Sequence, residues 1–192
     1  AEEELERVTQ KLSEARQKAS LLLKDAIKEG LLELNFLEVQ FEIAFEQLKE
    51  FTANGKDAIE FLISMNPGES VKPLGEVASG GELSRIMLAI KTVLADKDAI
   101  ETLIFDEIDV GISGRTAQKV SEKMCVIGRK HQVICITHLA QIAAMADTHF
   151  AIEKKVDNGK TKTEISKLTE EQSIQELARI LGGAKITDKV IE

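Results

Sequence analysis

Apolar residues recur along the first part of the chain at Leu5, Val8, Leu12, Ala15, Ala19, Leu22 and Ala26, spaced alternately three and four positions apart. Glu, Lys, Arg and Gln fill most positions between them. That spacing predicts a long helix with a heptad seam. Two arrangements accommodate it: an amphipathic helix packed on its own domain, or one strand of a coiled coil whose partner helix lies elsewhere. Small residues in a sustained seam favour the coiled coil. From Leu31 the apolar positions thicken, as expected where such a helix enters a globular head.

The period then changes. Phe41, Ile43 and Phe45 alternate with Glu42, Ala44 and Glu46, which predicts a strand within 36–48. "TANGKD" reads as a turn, 58–65 as a second strand, and "NPGESVKPLGEVASGG" as a loop. A helix follows from Glu82, with Leu83, Ile86, Met87, Ile90 and Leu94 on one face. "TLIF" (102–105) and "QVICIT" (132–137) are short apolar runs and predict buried strands. Between them "SGRTAQKVSEKMCVIGRK" predicts a helix, and "LAQIAAMA" a short one after. Two polar strands flank Asp157-Asn158-Gly159, a hairpin signal. A last helix starts near Thr169 with a capping box to Gln172, an apolar stripe at Ile174, Leu177 and Leu181, and a stop at Gly182-Gly183. Strands alternating with helices over 82–146 predict an α/β unit with parallel strands.

Composition narrows the function classes. Of 192 residues, 43% are apolar and only 4% aromatic, so the core must be aliphatic. A net charge of −8 argues against a stand-alone nucleic-acid binder, which needs clustered Lys and Arg. No apolar run is long enough to span a bilayer, and no secretory signal pattern is present. Two cysteines, Cys125 and Cys135, give no disulfide framework. The expectation is a cytoplasmic protein, and the start of the chain inside a charged helical pattern suggests a fragment of something longer.

Three places carry candidate chemistry. In "EVASGGELSR", Ser79 and Glu82 form a capping box, which many helices have. Gly80 and Gly81 are what the box does not explain. Glycine in a first helical turn costs stability, so it implies close approach of the backbone to something. A bare helix N-terminus suits an anion. Next, Asp106 and Glu107 follow "TLIF", at the strand edge where ligands bind in open α/β sheets. Asp is a hard oxygen ligand suited to Mg²⁺ near phosphates, and Glu could polarise a water. The plainer reading is a solvated acidic turn, although Asp109 adds a third acid that needs a cation nearby. Finally, His138 follows "QVICIT"; a lone His more often serves structure or surface, but a place at the same edge as Asp106 favours contact with a phosphate oxygen.

Other patterns are decoys. Gly159-Lys160-Thr161 resembles the end of a P-loop, but the required earlier glycine is Lys154. Cys125, His131, Cys135 and His138 lack paired zinc-ligand spacing. The basic hairpin around Lys154, Lys155, Lys160 and Lys162 reads as a guarded edge rather than a DNA surface.

The order of motifs resembles the C-terminal part of an ABC-type ATPase head, in the branch shared by the SMC proteins. "ASGGELSR" looks like the signature motif, "TLIFDEID" like Walker B, "DEIDVGISG" like the D-loop and "ITH" like the H-loop. Together with "KPLGEV" and "ELARILGG" they are similar to a bacterial DNA-repair member of that branch. Ala78 stands where many ABC proteins carry Leu.

The resemblance implies an α/β C-terminal lobe of a P-loop ATPase head, a mixed sheet with flanking helices, over 33–192, and a coiled-coil arm stub over 1–32. It implies a P-loop lobe that this sequence lacks, with no assignable Q-loop. The implied roles are Asp106 for Mg²⁺, Glu107 as general base, and His138 at the γ-phosphate. Ser79, Gly80 and Gly81, with Glu82 completing the motif, would grip ATP held by the opposite subunit of a head-to-head homodimer. Asp109 would link the two sites across that dimer. ATP-driven clamping of DNA at the nucleoid, in recombinational repair of double-strand breaks, is the implied task. A non-enzymatic coiled-coil scaffold, and another SMC-like DNA-maintenance ATPase, remain the alternatives.

Overall fold

A computed structural model describes residues 1–77, 79–157 and 160–182. Ala78, the Asn158-Gly159 turn, the Gly183 stop and the remainder of the expected lobe to residue 192 lie outside the described residues.

Helix α1 runs over Glu2–Glu33 without interruption. Its sequence is rich in strong helix formers, and Glu2, Glu3 and Glu4 complement the positive end of the helix dipole. It ends in a Schellman motif. Asn35 takes the left-handed conformation (φ 69°), Asn35 N donates to Leu32 O, and Phe36 N donates to Leu31 O.

The predicted seam is not the face that packs. Leu5, Val8, Leu12 and Leu22 are exposed, Leu22 by 76%. The adjoining stripe faces the body instead: Thr9 is buried, Ser13, Arg16 and Leu23 are half-buried, and Ile27 and Leu31 are fully buried. The helix is therefore held along one side and leaves its heptad seam open.

That side meets a long antiparallel hairpin, β1 (Gln40–Thr52) and β2 (Gly55–Ser64), with Phe41 opposite Ile63 and Ile43 opposite Phe61. The turn needs Gly55, whose φ is +91°. Both predicted strands are present, the first shifted about four residues toward the C-terminus and the second beginning three residues earlier. Ser13 Oγ donates to Asp57 Oδ1 at 2.7 Å, and Arg16 Nη1 bonds Asp57 Oδ2 and Asn54 O at 2.9 and 2.8 Å. The hairpin is thus clamped alongside the arm. Within the expected loop, β3 (Lys72–Pro73) adds a short third strand and α2 (Leu74–Val77) a single turn.

Helix α3 (Gly80–Leu94) lies at the centre. Its buried side is wider than predicted, with Leu88 and Ala89 joining Ile86 and Ile90, because α1 packs on it from one side and α4 (Gly114–Gly128) from another. Strands β4 (Thr102–Phe105) and β5 (Gln132–Cys135) pair in parallel, with Phe105 opposite Cys135. Leu103 and Phe105 face the core; Ile104, Ile134 and Ile136 on the other face are 66%, 44% and 45% exposed. The expectation of fully buried strands is met on one face only, because none of the described residues covers the second.

The short helix α5 (Ala140–Ala143) leads to the hairpin β6 (Phe150–Asp157) and β7 (Lys160–Lys167). Helix α6 (Glu170–Gly182) starts at the predicted box, with Gln172 Oε1 accepting from Thr169 N at 2.9 Å. It packs through Ala178, while Ile174 and Leu181 stay exposed. Parallel and antiparallel strands occupy separate sheets among the described residues. No helix of the described residues is long and apolar enough to cross a membrane.

Candidate nucleotide-binding site

The capping box is formed. Ser79 N and Ser79 Oγ donate to Glu82 Oε2 at 3.0 and 2.8 Å, and Glu82 N donates to Ser79 Oγ at 3.4 Å. Both ends of the predicted box serve the start of α3.

The two glycines are explained by a neighbour inside the chain. A Cβ on Gly81 would stand 2.8 Å from Glu107 O and 3.2 Å from Val110 O. A Cβ on Gly80 would stand 2.1 Å from Glu107 Oε2. The first turn of α3 is therefore packed against the 106–110 turn, and the Glu107 carboxylate lies over the helix N-terminus. A negative group there is favoured by the dipole and by the unpaired amides.

Glu107 itself is unusual. Its φ is +56°, a left-handed conformation that costs a non-glycine residue roughly 1–2 kcal/mol. The carbonyls around it are pinned by α3. Ser84 Oγ donates to Asp106 O at 2.6 Å, and Arg85 Nη1 donates to Ile108 O and Val110 O at 3.2 and 2.9 Å. Asp106 Oδ1 accepts from Glu107 N at 2.9 Å. Its other carboxylate oxygen is a hard donor at the exposed end of β4, which fits Mg²⁺ that takes one carboxylate and draws its other ligands from phosphates and water. Among the described residues no group of three or more acids, histidines or cysteines could hold a metal by itself.

Asp109 is buried and held through one carboxylate oxygen. Its Oδ2 accepts from Thr137 Oγ1 at 2.5 Å and from His138 N at 2.7 Å, and lies 3.1 Å from His138 Nδ1. The third acid thus finds hydroxyl, amide and imidazole partners. This ties the loop after β4 to the loop after β5 and leaves the His138 ring 74% exposed, with Nε2 as the nitrogen open to a ligand. Nearby, burial and the charges of Asp109 and Asp106 push the Cys135 thiol up to about 12.

The structure brings Gly80 and Gly81 against Glu107, ties Ser79 to Glu82, and joins Asp109 to His138. Ser84, Arg85 and Thr137 complete this arrangement and were not singled out from sequence. A polar pair at 84–85 beside Leu83 and Ile86 was the available signal, since inward-facing polar residues in an apolar helix need partners.

No family model matches the chain. It is 45% identical over 181 residues to DNA repair protein RecN of Halalkalibacterium halodurans, covering 92% of this chain and 32% of that protein. It is 47% identical over 139 residues to DNA repair protein RecN of Bacillus subtilis, covering 72% and 24%. RecN of Vibrio cholerae is 42% identical over 182 residues, covering 94% and 33%. The chain spans about a third or less of the length of these relatives. Among solved structures, the Smc head domain with a coiled coil and joint from Pyrococcus yayanosii aligns with a TM-score of 0.58 at 20% identity, covering 85% of this chain and 29% of that one. The Smc head with an extended coiled coil from Pyrococcus furiosus aligns with a TM-score of 0.56 at 20% identity, covering 87% and 39%. The chain is similar to a segment of these RecN proteins and has the α/β fold seen in the Smc head domains.

Proposed function

We propose that the chain is one part of a composite ATP-hydrolysing head, with residues 1–32 as the base of a coiled-coil arm and 33–192 as the lobe that lacks the P-loop. The observation that carries this reading is the meeting of three elements at one edge: the α3 N-terminus, the acidic turn after β4, and the His138 loop after β5. The RecN relatives support a role in DNA repair, with DNA engaged by the longer protein. The bare face of the β4–β5 sheet supports a missing lobe, because parallel sheets are normally covered on both faces.

Each residue then has a task. Ser79, Gly80 and Gly81 present the α3 N-terminus to the γ-phosphate of ATP on a second head, and Glu82 keeps that end capped. Glu107 orients the attacking water and accepts its proton. To do so its carboxylate leaves the helix end that a phosphate takes over. His138 meets the γ-phosphate through Nε2, and Asp109 holds His138 from inside its own chain. A link from Asp109 across the dimer would run through the loop it fixes, since its carboxylate is already engaged. Asp106 would hold Mg²⁺, whose charge offsets that developing on the phosphates. Phosphoryl transfer asks the protein chiefly for positioning and charge stabilisation, which this edge can provide.

One observation favours a second reading, a scaffold without catalysis: close packing on Glu107 accounts for both glycines without a ligand. Ser79→Asp separates the two. Asp caps a helix about as well as Ser but places a negative charge at the phosphate seat. The ATPase reading predicts a head that stays folded, with melting lowered by the lost bond to Glu82 and by carboxylate repulsion, and loss of ATP-dependent pairing between heads completed with a P-loop lobe, measured by sedimentation. Pairing that survives the substitution favours the scaffold.

A further inference from the structure

We propose that Arg85 is a positioning residue for the turn that carries Glu107, an inference that rests on the catalytic reading of Glu107 above. Arg85 is 7% exposed and sits on the inward side of α3, next to Ile86. Burying a guanidinium without a carboxylate partner is expensive. The bonds described for it go to two main-chain carbonyls, Ile108 O and Val110 O, and burial lowers its pKa. Replacing a whole buried ionic group by well-packed apolar ones is often neutral, whereas removing one partner leaves the other unpaired. A buried cation spent on two loop carbonyls fixes the course of that loop.

The geometry concerned is that of Glu107. Ser84 pins the carbonyl before it and Arg85 the carbonyls at 108 and 110, from consecutive positions of one helix. With its flanks fixed, Glu107 is held in the left-handed conformation and its carboxylate stays at the edge. Arg85 also lies over the Phe36 ring, 5.6 Å from its centroid, just past the Schellman end of α1. The same guanidinium thus joins the base of the arm to the acidic turn. Both bonds come from one nitrogen, Nη1, so a Lys ammonium could make them as well, but without a planar group over Phe36, and it should replace Arg85 only in part.

The test uses the chain joined to a P-loop lobe, in wild-type, Arg85→Met and Arg85→Lys forms. Melting, ATP kinetics and amide exchange at 107–111 are measured on each. With Met we expect a slightly lower melting temperature, because two carbonyls lose their donor, faster exchange confined to 107–111, an unchanged KM and a kcat lower by about 10- to 100-fold, the scale of an ångström-level misplacement. Lys should restore part of the loss. Unchanged exchange at 107–111 overturns the proposal, as does exchange that rises across the whole chain in step with a lower melting temperature. A wild-type composite that binds ATP without turnover would instead count against the catalytic reading, while the exchange data still decide whether Arg85 holds the turn.

Discussion

Gly80 and Gly81 sit side by side yet should fail in different ways. A methyl at Gly81 meets main chain, Glu107 O and Val110 O, which cannot step aside. Gly81→Ala should cost roughly 1–3 kcal/mol, as overpacking does, read as a lower midpoint in urea. A methyl at Gly80 meets only the mobile end of Glu107. Gly80→Ala should therefore melt almost normally and instead displace the carboxylate, so completed heads should lose turnover while staying folded. Equal stability losses at the two positions would contradict this packing. At the same scale, the raised pKa of Cys135 keeps it a neutral thiol at pH 8. Because the thiolate is the nucleophile, Cys135 should alkylate far more slowly than free cysteine, as peptide mapping after iodoacetamide treatment would report.

The arm and its hairpin form the clearest unit at the level of elements. Asp57 is the clamp: the Arg16 guanidinium first, then the Ser13 hydroxyl, hold its carboxyl below its ordinary value of 3.8. A depressed carboxylate pKa contributes stability above the unfolded-state value, and that contribution is lost as pH falls through the folded one. Amide exchange in β1 and β2 near the turn should therefore quicken at pH 3 relative to pH 6, after correction for intrinsic rates. Asp57→Asn should remove that difference. The clamp also marks where sequence patterning stops. Heptad spacing located α1, and alternation of Phe41, Ile43 and Phe45 located β1, because period is a local property. Which stripe of α1 would pack was not local. The stripe of Thr9, Ser13 and Arg16 reads as solvent-facing until Asp57 and Asn54, some forty residues on, supply partners. In the same way Asp106, Glu107 and His138 were legible from strand ends, whereas Arg85, Ser84 and Thr137 required the fold that sets them against the 106–110 turn and the His138 loop. The glycines were read correctly as a close approach, and the neighbour proved to be Glu107.

Across the whole molecule, two apolar surfaces have no cover among the described residues. The seam of α1 is open, and so is the face of β4–β5 that carries Ile104, Ile134 and Ile136. Acids and a helix end converge on one edge, but the sequence holds no Gly-rich loop with its Lys to cradle phosphates. The isolated chain should accordingly bind ATP very weakly, and micromolar binding by calorimetry would contradict that. The central claim is that this chain supplies the hydrolytic carboxylate to a site whose phosphate cradle comes from another lobe. The most direct measurement is Mg-ATP turnover by the chain joined to a P-loop lobe, compared with its Glu107→Gln form. Turnover is expected only in the joined protein, with collapse on substitution while ATP stays bound. A folded, ATP-binding composite whose turnover is unchanged by Glu107→Gln would contradict it.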